Sequence, residues 1–280
     1  MKYLKKLYYK NISPNFFKPS NKQTKFKIFK SIKKKIKPND VLVITAYDKN
    51  YWPVGRLCAK SISLYCKKFN FRKKISIIPE SFNKEFNRNN AWFKIKMISD
   101  LLKQSENKII FWIDADAIFS RFVDLRDLLD DYHDFYLVSH NVKSKKSSGL
   151  KNIELAVPRI NTGVMIFKNT KFTQKLIVDV WNKSHYSNNG WWDNSAFLDL
   201  LGFKGEITNN LNDHKGDLKY IKRLKLISPE WNSVPSTSTL DFSLETHNPI
   251  IFHTAGLSFQ HKKIFIEQHL NVKDKIKFKI

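Results

Sequence analysis

The chain has 280 residues, 42% of them hydrophobic and 14% aromatic, enough apolar matter for a substantial core, so disorder throughout is excluded. Fifty Lys and Arg against 25 Asp and Glu leave a formal charge of +25, a field that draws phosphate, nucleic acid or an anionic membrane surface. Only seven of the fifty are Arg, and the Lys travel with abundant Asn, Ile and Phe, as a coding bias would also produce, so the charge speaks to association and not to fold.

Residues 1–37 hold thirteen Lys and no acid, with Phe16, Phe17, Phe26 and Phe29 between them. Residues 1–39 therefore read as a basic arm: a solvated tail, an acceptor-binding flap, or a polybasic aromatic patch on anionic lipid, where each Lys contributes about 1 kcal/mol. Residues 40–270 read as one α/β domain without internal repeats, and 271–280 as a tail.

Val41 to Thr45 is short, apolar and β-branched, as a strand buried on both faces should be. Pro53 suits the first turn of a helix running to about Lys68. Cys58 and Cys66, the only cysteines, lie in that helix, a placement that indicates neither a disulfide nor a zinc-ligand pair and that fits a reducing compartment. Ile75 to Ile78 reads as a second strand. Trp92, Ile95, Ile98 and Leu102 recur at helical spacing, and Lys108 to Ile113 is a third buried strand, so strand, helix and strand predict parallel pairing. Further strands are predicted at Phe135 to Ser139, Val164 to Phe167 and Ile250 to His253, and helices at Phe172 to Asn182 and Asp193 to Leu201. Asn141 to Pro158 reads as a polar, mobile loop. This pattern predicts a Rossmann-like, mostly parallel sheet flanked by helices, with ligands entering at the C-terminal strand ends.

No apolar run approaches the ~18 residues of a membrane span, and the N-terminus lacks the apolar core of a signal peptide. The expected location is cytoplasmic, with peripheral contact at the cytoplasmic membrane face through the basic arm.

The sharpest local feature is the strand Phe111-Trp112-Ile113 ending in Asp114-Ala115-Asp116. Two neighbouring carboxylates repel unless a dication neutralises them, and oxygen ligands beside a phosphate suit Mg²⁺ or Mn²⁺; two solvated Asp at a strand end are the plainer alternative.

The blocks Asn90-Ala91-Trp92-Phe93-Lys94, FWIDADAIF, Asn161-Thr162-Gly163-Val164-Met165-Ile166-Phe167-Lys168-Asn169, Trp181, Trp191-Trp192-Asp193-Asn194-Ser195-Ala196 and Phe252-His253-Thr254-Ala255-Gly256 stand in that order. In order and spacing, from about residue 41 to 265, they resemble the glycosyltransferase family of fungal α-1,2-galactosyltransferases, α-1,6-mannosyltransferase subunits and plant xyloglucan α-1,6-xylosyltransferases. The resemblance implies a GT-A fold, a UDP- or GDP-sugar donor, a glycan acceptor, and transfer of a hexose or pentose with retention of configuration. It further implies that Asp114, Asp116 and His253 bind Mn²⁺, with Mg²⁺ as the substitute, and that Ala115 lies at the donor.

A Lys beyond the His reaches the diphosphate in such enzymes, here Lys262 or Lys263. Lys94, off the apolar stripe of its helix, suits phosphate, donor sugar or plain solvent. Asp193-Asn194 stands where the family has an acid followed by Gln facing the reacting carbon; Asn is one methylene shorter and unsuited to covalent attack, which favours a front-side mechanism. Asp193 also suits a helix N-terminus. Asn161 would hydrogen-bond sugar hydroxyls, Gly163 would admit the sugar closely, Gly256 would let backbone N–H groups approach a phosphate, and one of Trp191 and Trp192 would stack on a pyranose. Thr45, Ala46 and Tyr47 lie where such folds hold uracil and ribose. Ser99 replaces the usual basic residue, and the cysteines that often follow the His block are absent. Eukaryotic members act in the Golgi behind a membrane anchor; the present chain fits a bacterial or viral enzyme.

Two other classes stay open on sequence alone. One is a basic nucleic-acid-binding protein with a metal-dependent phosphodiesterase site, for which no specific nucleic-acid module is visible. The other is an inactive, transferase-like structural protein.

Overall fold

The computed structural model describes residues 30–148, 151–188, 191–202, 218–234 and 248–275. Its centre is β1 (Val41–Tyr47), buried at all seven positions. Alternate side chains enter two separate cores: Leu42, Ile44 and Ala46 pack on one face of the sheet, Val41 and Val43 on the other. Helix α1 (Trp52–Phe69) starts with Pro53 in its first turn and stops at Asn70, whose φ of 55° is the left-handed cap that ends a helix. It covers the second core with Cys58, Ile62 and Tyr65 and returns the chain to β2 (Arg72–Ile77), parallel to β1. Both cysteines are free and buried.

After the short helix α2 (Phe82–Phe86), a 3-10 turn at Asn90–Trp92 leads into α3 (Phe93–Leu102); Trp92 of the turn and Ile95, Ile98 and Leu102 of the helix all face the first core. Strand β3 (Ile109–Ile113) then runs parallel to β1 on its other side. The short β4 (Ala117–Phe119), which composition does not signal, pairs antiparallel with the late strand β8 (Ile251–His253), so that Ala117 lies opposite His253.

Within Asn141 to Pro158, expected as a loop, the described residues 141–148 and 151–158 are instead strands. β5 (Phe135–Ser148) and β6 (Lys151–Lys168) form one long antiparallel ribbon that pairs Asn141 with Pro158 and Ser148 with Lys151. The correction has a simple cause: pairing uses backbone N–H and C=O groups, and a two-stranded ribbon tolerates a polar sequence because its faces can meet water. At the inner end the register jumps between Leu137 and Val138, which pair with Met165 and Asn161. Thr162, Gly163 and Val164 thus drop out of that ladder as a bulge.

Helix α4 (Lys171–Trp181), capped by Thr170, and α5 (Trp192–Leu200) lie over the first core. The small α6 (Leu218–Ile221) precedes β7 (Leu224–Ile227), an edge strand parallel to β5. The six-stranded order is β2-β1-β3-β6-β5-β7, with only β6 running against the rest, so the sheet is mixed and mostly parallel.

Helix α7 (Phe259–Lys275) continues past residue 270 and packs Ile266 and Leu270 against Val54 of α1 and Phe252 of β8. At the other end of the chain, Ile32 and Ile36 pack beneath the second core and Lys33 pairs with Asp124 and Asp127, so residues from 30 onward are joined to the domain. Residues 1–29, which carry most of the basic arm, and 276–280 lie outside the described residues. Among those described, no helix is long and apolar enough to cross a membrane.

Candidate active site

The site lies where β3 ends. Trp112 and Asp114 are two residues apart in an extended chain and share a face, and the indole Nε1–H donates to Asp114 Oδ1 over 2.6 Å. The Asp114 backbone N–H donates to the Gly163 carbonyl of the β6 bulge at 2.8 Å. Asp116 is held through its carbonyl, which accepts from both the backbone N–H and the hydroxyl of Thr254, 138 residues on. The pairing of β4 with β8 thereby carries His253 to the two carboxylates: its Nε2 lies 3.1 Å from Asp116 Oδ1 and 3.9 Å from Asp114 Oδ2. One ligand atom from each of Asp114, Asp116 and His253 falls within 4.8 Å of the others. Two carboxylates and one imidazole converging on a common point form a donor set that fits a divalent cation, with oxygen suited to Mg²⁺ or Mn²⁺ and nitrogen favouring Mn²⁺.

Two lysines flank the triad. Lys94 is buried with its Nζ 3.1 Å from Asp114 Oδ1 and 3.1 Å from Asp193 Oδ2. Burial by itself would lower its pKa, but the two carboxylates overcome that and hold the ammonium well above the usual lysine range. The side chain is therefore a charged strut within the site and not part of a solvated face. Of the two candidates on α7, Lys262 reaches the site, with Nζ 2.6 Å from Asp116 Oδ2 and 3.1 Å from the Tyr51 hydroxyl. Burial opposes ionisation of Asp116, yet the charged, imidazolium form of His253 and the Lys262 ammonium keep its carboxyl well below the usual range; beside a neutral imidazole the lysine alone acts in that direction.

Asp193, at the start of α5, is buried; its Oδ2 accepts from the Thr162 hydroxyl at 2.9 Å as well as facing Lys94. Desolvation raises its pKa against the pull of Lys94. Asn194 Oδ1 accepts from the Thr162 backbone N–H at 3.1 Å. Trp191 and Trp192 are 36% and 38% exposed, so neither indole is core. Trp192 has a φ of 43°, a sparsely populated backbone region for a bulky residue.

The other expected site residues stand as follows. Asn161 Oδ1 accepts from the Gly163 N–H at 2.7 Å and from Asn232 Nδ2 at 2.9 Å, so its oxygen is committed inside the protein and only its amide N–H groups remain for a sugar. At Gly163 the His253 ring occupies the space a side chain would need. Gly256 has a φ of 80°, a backbone conformation that favours glycine, and no protein atom lies within 4 Å of a built Cβ. Thr45, Ala46 and Tyr47 are buried, and Tyr47 packs its ring on Gly55 and edge-on to Trp52. Ala115 is also buried, against Tyr47.

Residues 40–264 match the family described as nucleotide-diphospho-sugar transferases. The chain belongs to that family. It is a glycosyltransferase with a GT-A fold. Among solved structures, the transferase is similar to a glycosyltransferase involved in glycosylation of the major capsid of PBCV-1, at 13% identity and a TM-score of 0.52, over 81% of this chain and 98% of that one. It is similar also to the galactosyltransferase LgtC, solved with donor and acceptor sugar analogues, at 12% identity and a TM-score of 0.42, over 84% and 95% of the chains. Likeness extends to GlyE of Streptococcus pneumoniae TIGR4, at 14% identity and a TM-score of 0.41, over 85% and 65%. No curated protein matches the sequence.

Sequence reasoning missed Asn232, Tyr51 and the roles of Thr162 and Trp112 in the transferase. Thr162 and Trp112 sit inside recognisable blocks, but Asn232, in Pro229-Glu230-Trp231-Asn232, carries no signal at all.

Proposed function

We propose that the chain is a metal-dependent, retaining glycosyltransferase that moves a hexose or pentose from a UDP- or GDP-sugar to a glycan acceptor, in the class of the galactosyl-, mannosyl- and xylosyltransferases its sequence blocks resemble. The observation that carries this reading is the convergence of Asp114, Asp116 and His253 within 4.8 Å. A dication held by these three would neutralise the negative charge that develops on the departing diphosphate, with Mn²⁺ the better fit to a mixed oxygen and nitrogen set.

The chain's own residues supply the rest. Lys262 beside Asp116 and Lys94 beside Asp114 are fixed cations at the edges of the triad, where preorganised charge lowers the barrier to losing a diphosphate. Asp193 Oδ2 is engaged by Lys94 and Thr162, and the Asn194 amide oxygen, a weak nucleophile, accepts from the Thr162 N–H, so both side chains serve to organise the site. That supports front-side displacement, in which a leaving phosphate oxygen takes the acceptor proton. The two exposed indoles of Trp191 and Trp192 offer flat apolar faces to a pyranose.

The test is a panel of nucleotide sugars incubated with purified protein and Mn²⁺, followed by linkage and anomer analysis of any product. Binding with slow donor hydrolysis, lost in Asp114→Ala, is the expected result. Absence of both across the panel, with no Mn²⁺ or UDP binding by calorimetry, would instead mark an inactive, transferase-like protein.

A further inference from the structure

A chain of three hydrogen bonds runs from a backbone amide to the metal-facing imidazole, and each link has only one possible direction. The Gly163 N–H can only donate, so the Asn161 atom 2.7 Å away is the oxygen. That oxygen can only accept, so the Asn232 atom 2.9 Å from it is the amide nitrogen. The other end of Asn232 is then its oxygen, and it lies 2.8 Å from His253 Nδ1. An oxygen there can only accept, so Nδ1 carries the proton, and the lone pair of the neutral ring falls on Nε2, the atom that faces Asp114 and Asp116.

We propose that Asn232 is a positioning residue that fixes the tautomer and orientation of His253, and that Asn161 acts through Asn232. The inference rests on the metal site of the proposed function. Its parts are placed by the fold. Asn232 is fully buried at the end of the 3-10 turn Pro229–Asn232, and the turn is tied to β8 through Ile250 N–H to the Glu230 carbonyl and His253 N–H to the Ser233 carbonyl. The β6 bulge aims the Gly163 N–H at Asn161. Asn161 thus anchors the Asn232 amide, which donates at one end and accepts from the ring at the other, the kind of outer support that sets ligand basicity.

The experiment combines nitrogen-detected NMR of the histidines of the metal-free protein, recorded where the ring is neutral and assigned with His253→Gln, and calorimetry with Mn²⁺ alone. Wild type is expected to show the His253 proton on Nδ1. Asn232→Leu is expected to bind Mn²⁺ about 10- to 100-fold more weakly. Asn232→Asp, which keeps an acceptor for Nδ1, should bind much nearer to wild type than Asn232→Leu does. A wild-type proton on Nε2, undiminished affinity in Asn232→Leu, or equal losses in both variants would overturn the proposal. If wild type binds no Mn²⁺, the proposed function fails, and the proton position still decides the role of Asn232 on its own.

Discussion

A Cβ built on Gly163 would lie 2.2 Å from Cε1 and 2.5 Å from Nδ1 of His253, closer than any real contact, so the imidazole occupies the room that glycine leaves. Replacing Gly163 with Ala must push the ring away from Asn232, from the carboxylates, or from both. Gly163→Ala is therefore expected to fold, with an unchanged circular dichroism spectrum, and to bind Mn²⁺ on the order of 10- to 100-fold more weakly in calorimetry.

The two neighbouring lysines of α7 should behave very differently. Lys262→Met removes a cation held 2.6 Å from Asp116 and is expected to cost on the order of 10² to 10³ in kcat, the scale of deleting one preorganised charge. Lys263→Met should stay within about twofold of wild type. Steady-state kinetics on the two variants side by side checks the assignment.

Lys94 is paired with Asp114 and Asp193 in a buried setting, and removing one member of such a group leaves charge without compensation. Lys94→Met is expected to cost about 3–5 kcal/mol of stability as well as activity. A thermal melt should show Tm lowered by on the order of 10 °C.

Ligand binding to the folded state alone raises stability, by about 2.7 kcal/mol at a concentration 100 times Kd. Mn²⁺ should therefore raise the Tm of wild type, and chelation should reverse the rise. In Asp116→Ala, which deletes one of the three converging ligands, the same addition should leave Tm unmoved.

Acid should act at a different place. Asp130 is buried, which opposes ionisation, but bonds from the His133 N–H and ring, from Lys225 and from the Tyr132 N–H bring its pKa down to about 2. Because the folded value is the lower one, the stabilisation is complete above the unfolded carboxylate value near 4 and disappears as pH falls through about 2. Urea titrations at several pH values should show Asp130→Asn less stable than wild type by about 2 kcal/mol at neutral pH, with the gap closing on acidification.

Much of this was legible in the residues themselves. The apolar run before Asp114 announces a strand buried on both faces, the spacing of Trp92, Ile95, Ile98 and Leu102 announces the helix that carries Lys94, and an ordered set of short blocks points to Asp114, Asp116 and His253 together. These are local properties: period and apolarity report which face of an element is buried, and a carboxylate pair at a strand end reports a demand for positive charge. Tertiary structure alone decided the remainder. The pairing of β4 with β8 sets His253 beside Asp116, whose carbonyl is held by Thr254 from 138 residues away, the bulge in β6 turns Gly163 toward the ring, and the turn ending at Asn232 reaches its Nδ1. It also chose Lys262 over Lys263, buried Lys94, and made a ribbon of a polar stretch. Such contacts depend on strand register and on which side chains meet across distant segments, quantities to which no local pattern of polarity is sensitive.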